Sequence, residues 1–167
     1  MKKISILLLT SILLIANQGF AQLPVRPLAD QKTLLQSNDP QLRQNKKLVY
    51  DFWREVLEGG HLELADKYML ETYIQHNPNV ATGRQGFIDF FSKIRKPTPI
   101  VDTIKAQVVD IVAEGDKVVL SFVREYNVPG DNTRKYTTTW FDMLRIENGK
   151  IAEHWDCAQM MFQPPKN

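Results

Sequence analysis

Cysteine is almost absent from this chain, because its 167 residues include a single one, Cys157. A lone cysteine cannot form an internal disulfide. The three histidines are widely spaced, and the sequence contains no H-x-H, H-E-x-x-H or C-x-x-C pattern. These absences exclude a disulfide scaffold and argue against a dedicated metal site. We therefore expect stability to come from packing, and we expect neither a metal nor a cofactor.

An excess of basic charge is also missing. The chain has 21 Lys and Arg against 19 Asp and Glu, a formal net charge of +2. It has no run of Lys or Arg and no basic stripe interleaved with aromatic residues. Nucleic-acid binding depends on such a surface to neutralise phosphates. We therefore expect no nucleic-acid partner.

Long apolar runs are limited to one, from Ile4 to Ile15. Its 12 residues are too few to span ~30 Å of hydrocarbon at a rise of ~1.5 Å per residue. The run follows Lys2 and Lys3 and precedes Gly19-Phe20-Ala21, the order typical of a secretory signal peptide. We predict that residues 1–21 are a signal peptide cleaved after Ala21. The mature protein would then be secreted or periplasmic, with no membrane association.

Residues 22–44 contain prolines among polar residues without a sustained period, which predicts a tether leading to the first helix. From Asn45 the pattern is helical until Gly59-Gly60. A second short helix is predicted near Ala65, and a third between Gly83 and Pro97. A short extended segment, 72–76, is expected between the last two helices. We assign residues 45–162 to one domain.

Beyond Pro99 the chain is expected to be strand throughout. Two β-branched runs cover 100–114 and 117–128, and a hairpin spans 136–161 with an Asn-Gly turn at 148–149. Three helices followed by antiparallel strands predict the α+β class. The helices would cover one face of a curved sheet, and the resulting cone would enclose a pocket.

Strand alternation in the last hairpin places acidic residues among apolar ones. Asp142 shares a face with Trp140 and Leu144, while His154 and Asp156 share a face of the next strand. Burying an unpaired carboxylate is costly, so this arrangement indicates a lined cavity. The alternative is that this face is simply solvated.

Four aromatic residues are predicted to form cavity walls for a small apolar or aromatic molecule: Trp53, Phe87, Phe90 and Trp140. His76 precedes Asn77-Pro78 at the end of the short extended segment. Its imidazole could bond loop carbonyls or face the pocket mouth, and the sequence does not choose between them. Nucleophilic catalysis is poorly supported, because Cys157 points away from His154 and Asp156.

Several segments together resemble the SnoaL-like branch of the nuclear transport factor 2-like superfamily: NKKLVYDFW, YIQHNP, GRQGFIDFF and FDMLRIENGKIAEHWD. The resemblance implies a cone-shaped α+β barrel with a deep pocket, often a homodimer through the outer sheet face. Members include polyketide cyclases with intramolecular aldol chemistry, isomerases, dehydratases, epoxide hydrolases and plain binding proteins. The fold therefore does not settle the reaction.

The resemblance also implies site residues. Asp142 in F-D-M-L-R is similar to the pocket acid of ketosteroid isomerase relatives, and Asp156 in E-H-W-D to the terminal-strand acid of the cyclases. His76 matches the histidine of Y-I-Q-H-N-P. Ser121 departs from the pattern, because close relatives tend to carry histidine in this region, and this departure weakens any inference of a metal or a histidine pair.

We therefore expect a cofactor-independent enzyme that acts on a small carbonyl compound by general acid/base catalysis. One of Asp142 and Asp156 would donate or accept the proton, and the other, with His154, would orient the substrate or a water. The alternative is a non-catalytic binding or dimerisation module. Acids that face the pocket would favour catalysis. Acids on the outer face, or paired with Arg124 or Arg145, would favour binding.

Overall fold

The computed structural model describes residues 23–161, so the predicted signal segment 1–21 lies outside the described part of the chain. Within residues 23–161, no helix has both the length and the apolar character needed to cross a bilayer. The described segment forms helices α1 Gln31–Leu34, α2 Pro40–Phe52, α3 Ala65–Tyr68 and α4 Arg84–Phe91, and strands β1 Met69–Gln75, β2 Val108–Glu114, β3 Lys117–Val128, β4 Asp131–Glu147 and β5 Lys150–Asp156.

The first long helix, α2, begins earlier than its predicted start at Asn45. Asp39 caps it by accepting hydrogen bonds from the backbone N–H groups of Gln41, at 2.7 Å, and Leu42, at 3.2 Å. Pro40 occupies the first turn, where a missing N–H costs nothing. Beyond Phe52 the helix widens into a π-helical segment, Trp53–Glu58. Such segments occur often at functional sites, and this one carries Trp53.

Residues 23–39 are not the free tether that the sequence predicted. The Gln31 side chain accepts a hydrogen bond from the Tyr50 hydroxyl at 2.7 Å and donates one to the backbone oxygen of Ile104 at 2.9 Å. The backbone N–H of Leu28 bonds to the oxygen of Val108 at 2.9 Å, and the Leu34 side chain is buried. These contacts come from single polar groups and have no period, so pattern reasoning missed them.

The five strands form one curved sheet in the order β1-β5-β4-β3-β2. The pairings β2–β3, β3–β4 and β4–β5 are antiparallel, as predicted, and β1 joins the edge parallel to β5. Helices α1 to α4 and this sheet confirm the α+β class, and α1 is a short helix that the sequence did not predict. Parallel pairing of β1 requires a long connection between β1 and β5, and the intervening helix and strands supply it.

The predicted strand from Ile100 starts only at Val108. Backbone N–H groups of Lys105 and Ala106 bond to the Glu58 carboxylate at 2.6 and 2.9 Å. Because these donors are used by a side chain from the helical layer, the segment cannot begin a strand ladder there.

The hydrophobic core lies between the helices and the concave face of the sheet. The core-facing positions of β3 are Val118, Leu120 and Phe122, all buried. The Phe52 ring packs on Phe87 with centroids 5.7 Å apart. One side of the sheet is therefore covered by the helices, which places any inward polar residue in or beside this core.

The turn at Gly60 holds the chain that follows α4. Gly60 has φ of +74°, and a Cβ built there would lie 2.5 Å from the backbone oxygen of Lys96. Nearby, the N–H of Thr98 bonds to the oxygen of Gly59 at 2.8 Å. Residues 96–98 are thus fixed against this turn.

We expect Gly60→Ala to lower the free energy of unfolding by about 3 kcal/mol, since it combines a left-handed backbone with a clash against main-chain atoms. Gly115→Ala is the matched control, because Gly115 has φ of +56° and nothing within 4 Å of its built Cβ. That change should cost only ~1–2 kcal/mol. Urea unfolding of both variants measures the difference. Equal losses of unfolding free energy in the two variants would contradict the close approach of Lys96 to Gly60.

Candidate active site

A cavity of about 250 Å³ opens between the helical layer and the concave face of the sheet. Its wall is mostly aromatic and aliphatic, with polar groups concentrated on β1, β4 and β5. The residues that line it are Phe52, Trp53, Leu57, Glu58, Tyr73, Gln75, Asn77, Val80, Phe87, Phe91, Arg95, Ala106, Arg124, Trp140, Asp142, Leu144, His154 and Asp156.

The register of the last hairpin brings the predicted polar residues together. Asp142 lies directly opposite Asp156, and Leu144 lies opposite His154. His154 therefore reaches Asp142 diagonally, and its Nε2 lies 3.0 Å from Asp142 Oδ1. Both side chains are largely withdrawn from solvent, with exposed fractions of 12% for His154 and 6% for Asp142. The acids face the cavity, the outcome that favours catalysis.

Gln75 determines which ring nitrogen of His154 carries a hydrogen. Gln75 Oε1 accepts a hydrogen bond from the backbone N–H of Asn77 at 3.0 Å, which identifies it as the amide oxygen. The same oxygen lies 2.9 Å from His154 Nδ1, so Nδ1 is the donor. The contact between Nε2 and Asp142 then needs one more proton, on the imidazole or on the carboxyl group. His154 and Asp142 share that proton.

The second oxygen of Asp142, Oδ2, is buried and has no hydrogen-bond partner among residues 23–161. Burial raises the pKa of the Asp142 carboxyl group above its ordinary value, and the hydrogen bond from His154 opposes that shift only in part. An unpartnered buried acceptor is destabilising. Because Asp142 lines the cavity, a bound molecule could supply the missing partner.

Asp156 is held as a hydrogen-bond acceptor. Its Oδ2 accepts from the side-chain amide of Asn77 at 2.6 Å, and its Oδ1 from the backbone N–H of Ala158 at 2.9 Å. Both oxygens of the Asp156 carboxyl group are therefore engaged as hydrogen-bond acceptors. Tyr73 is buried beside the two acids, and burial followed by the charges of Asp156 and Asp142 raises the pKa of its hydroxyl. The Tyr73 hydroxyl therefore stays neutral.

Gln75, Asn77 and Tyr73 were missed by the sequence reasoning. A signal was available, because Tyr73 and Gln75 alternate on one face of β1 and His76 lies on the other. The structure places His76 outside the cavity. Its Nε2 contacts Glu153 Oε1 at 2.8 Å, and its ring stacks on Trp155 with centroids 5.0 Å apart. His76 is therefore not part of this site, contrary to the expectation drawn from the motif.

Of the predicted aromatic walls, Trp53, Phe87 and Trp140 line the cavity and Phe90 does not. Phe91 takes the expected place of Phe90, because residues four apart share a helix face and Phe87 begins that row on α4. The rings of Phe87 and Phe91 lie 4.5 Å apart, whereas Phe90 packs edge-on against Phe91 from the side.

Neither Arg124 nor Arg145 forms an ion pair with Asp142 or Asp156 within residues 23–161, so the pairing that would favour the binding alternative does not occur. Arg145 bonds to Glu153 and Glu147 at 2.8 Å on the outer face of the sheet. Arg124 lines the cavity, with its guanidinium 5.3 Å from the centroid of Trp140. In the pocket, Asp142 is instead hydrogen-bonded to His154, and Asp156 to Asn77.

The same polar cluster has the composition of a metal site. Asp142, His154 and Asp156 each offer one ligand atom, and these atoms lie within 4.8 Å of one another. Carboxylate and imidazole groups could hold a divalent cation there, with Gln75 as support for the histidine. The sequence spacing gave no sign of the cluster, because its members come from two strands. The absence of a metal stays a prediction.

The fold and the site together define a cone-shaped α+β protein of the nuclear transport factor 2-like type, with a carboxyl–imidazole cluster inside its pocket. Residues 47–163 match the family model of the SnoaL-like polyketide cyclases. Because this match covers more than half of the chain, the protein belongs to that family. Among curated proteins, none matches the chain.

The chain is similar to several solved structures. A protein of Jannaschia sp. CCS1 assigned to the SnoaL-like polyketide cyclases is 17% identical, with a TM-score of 0.52 over 73% of this chain and 91% of that one. A protein of Bacillus cereus ATCC 10987 assigned as a polyketide cyclase is 24% identical. The match covers 80% of this chain and 83% of that one, with a TM-score of 0.47. An LEH-like epoxide hydrolase of M. tuberculosis is 10% identical, covering 71% and 81% with a TM-score of 0.49.

We expect Asp142→Asn to stabilise the protein at pH 7 by ~1 kcal/mol, the order of cost of a buried acceptor without a partner. A raised folded-state pKa means that the native state binds more protons than the unfolded chain above pH ~4, so its stability falls as the pH rises through that window. The stabilisation that Asp142→Asn gives relative to the parent protein should therefore shrink as the pH falls towards ~4. Thermal unfolding between pH 4 and 8 tests this expectation.

Asp102→Asn is the control for that experiment, because Asp102 is exposed and lies outside the cavity. It should change the melting temperature little at any pH. A destabilised Asp142→Asn protein with the same loss across the whole pH range would contradict the raised pKa.

Proposed function

We propose that this protein is a cofactor-independent enzyme that acts on a small, mostly apolar carbonyl compound by general acid/base catalysis, in the manner of an aldol cyclase, isomerase or dehydratase. The observation that carries the proposal is the buried Asp142 carboxyl group, which is paired with His154 through one oxygen and has no partner at the other among residues 23–161. Acids with raised pKa values in apolar clefts are typical of proton-transfer sites.

The geometry suggests a division of roles between the two acids. Asp156 accepts two hydrogen bonds and is suited to remove a proton from the carbon beside a carbonyl. The Asp142–His154 pair holds one shared proton and is suited to donate it to the carbonyl oxygen, giving an enol. The same groups can return the protons to new positions, which is isomerisation, or can leave the enol to attack a second carbonyl, which is aldol closure.

The surrounding cavity favours this chemistry. Aromatic and aliphatic walls exclude water, which strengthens electrostatic interactions with a developing enolate oxygen. Family relatives assigned as polyketide cyclases are consistent with a carbonyl substrate. Export through the predicted signal segment 1–21 forms part of the proposal and would place the enzyme outside the cytoplasm.

The second candidate function is non-catalytic binding of the same class of molecule. The observation that favours it is the cavity itself, since apolar walls with a few polar groups suit a binding protein equally well. Binding without conversion would separate the two functions.

We expect Asp142→Asn and Asp156→Asn each to lower turnover by ~10²-fold or more while ligand binding is largely retained, the scale for loss of a general acid or base. The substrates are a panel of aryl and polyketide-like ketones. Turnover is measured by NMR as the rate at which hydrogens on the carbon beside the carbonyl are replaced by deuterium in D₂O. Asp102→Asn should exchange at the parent rate. Addition of EDTA should change nothing if the site works without a metal.

Full exchange activity in both amide variants would remove the acid/base mechanism. Tight binding of panel ketones without any exchange in the parent protein would instead favour the binding function.

We also propose a homodimer through the outer face of the sheet. Phe141 is 48% exposed and Val112 is 53% exposed on this face, with Met143 beside them. Covering apolar surface is worth about 25 cal/mol per Å², and an isologous contact would cover both copies at once.

The dimer predicts that Phe141→Lys shifts the protein to a monomer at micromolar concentration, because a lysine would be buried without a partner at the contact. Ile94→Lys is the control, since Ile94 is 60% exposed and lies away from the sheet. Analytical ultracentrifugation distinguishes the two states. A parent protein that sediments as a monomer would refute the dimer.

A further inference from the structure

The open end of the cavity carries two positive charges that the acid/base chemistry does not use. Arg95 and Arg124 both line the cavity and are exposed, while Asp142 at the polar end is buried. Glu58 also lines the cavity but is already engaged, because its carboxylate accepts hydrogen bonds from the backbone N–H groups of Lys105 and Ala106. The guanidinium groups of Arg95 and Arg124 at the mouth therefore have no acidic ion-pair partner among residues 23–161.

Arg124 occupies a position where a core residue would be expected. It continues the concave face of β3 after Leu120 and Phe122, both buried. Its guanidinium stacks over Trp140, and among residues 23–161 it has no hydrogen bond or ion pair. Stacking holds the planar group in place and leaves its N–H donors available.

Arg95 is held at the mouth by its backbone. Its N–H bonds to the oxygen of Phe91 at 2.8 Å, and the residues that follow are fixed by the close approach of Lys96 to Gly60. In the described part of the chain, its guanidinium too lacks any hydrogen-bond or ion-pair partner. A long charged side chain with an anchored backbone is suited to contact whatever enters the cavity.

In the part of the chain that the structure describes, neither arginine is ion-paired with an acid of the cavity. His154 and Asn77 bond to Asp142 and Asp156, and no ion pair joins either acid to an arginine within residues 23–161. The cavity therefore combines a carboxyl–imidazole cluster that includes the buried Asp142, an aromatic wall that includes Trp53, and two exposed arginines.

We propose that the substrate is amphipathic, with a carboxylate that binds Arg95 and Arg124 at the mouth and an apolar body that places a carbonyl at the Asp142–His154 pair. A guanidinium fork matches a planar carboxylate, and two such groups facing one apolar cavity select an acid over its neutral analogues. The placement of the carbonyl rests on the proposed function above. The binding of the anion does not.

The test uses 4-oxo-4-phenylbutanoate, its primary amide and phenyl phosphate as probes, with affinities measured by calorimetry. The acid should bind the parent protein ~10-fold more tightly than the amide, a difference of ~1.4 kcal/mol, and the preference should weaken with added salt. Arg95→Gln and Arg124→Gln should each reduce the preference, and the double variant should abolish it while amide binding stays unchanged. Lys93→Gln is the control, because it removes one positive charge, as each arginine variant does, from a residue that lies outside the cavity.

Each outcome decides the inference. Equal affinities for the acid and the amide would overturn the anionic-substrate inference and leave the proposed function standing. If neither the acid nor the amide binds, both the inference and the proposed function are overturned. Tighter binding of phenyl phosphate than of the acid would overturn the choice of a carboxylate. An arginine-dependent preference for the acid without proton exchange beside its carbonyl would support the anionic ligand and reject the catalytic proposal.

Discussion

The contact between His154 and Asp142 is the constraint on which the site depends. It exists because the β4–β5 hairpin sets Leu144 opposite His154, which brings the imidazole diagonally to the carboxyl group two residues away. A register shift of one residue in β5 would turn His154 to the outer face, away from Asp142. Gln75 adds the second condition, because its amide oxygen selects the ring nitrogen that carries a hydrogen. Three strands thus cooperate to hold one shared proton in an apolar cavity.

That proton explains how a buried acid is tolerated in the core. Burial raises the pKa of Asp142, and the bond from His154 offsets part of that cost while leaving Oδ2 without a partner. Such a group lowers stability when it ionises, and natural sites often combine this cost with function. The surrounding scaffold has to compensate, and the aromatic packing of Phe52 and Phe87 on the concave face is one source of that compensation.

Particular residues show how far prediction from sequence reached. The Asn-Gly turn and strand alternation were enough to place Asp142, His154 and Asp156 around one cavity. The start of α2 was missed although Asp39-Pro40 is a good capping signal, because the apolar period begins only later. Phe90 was chosen where Phe91 lines the cavity, since both fit a helical spacing and only the docking angle of α4 separates them. His76 was misplaced because the motif carried more weight than the alternation of β1.

By itself the sequence determined the class of fold, the order of its elements and the inward face of the last hairpin, because these follow from local periodicity and turn chemistry. Tertiary structure alone decided the partners. Parallel pairing of β1 with β5 brought Gln75 and Asn77 to the acids, and docking of residues 96–98 on the Gly60 turn fixed the backbone next to Arg95. These contacts join residues far apart in the chain, and no local pattern encodes such distances.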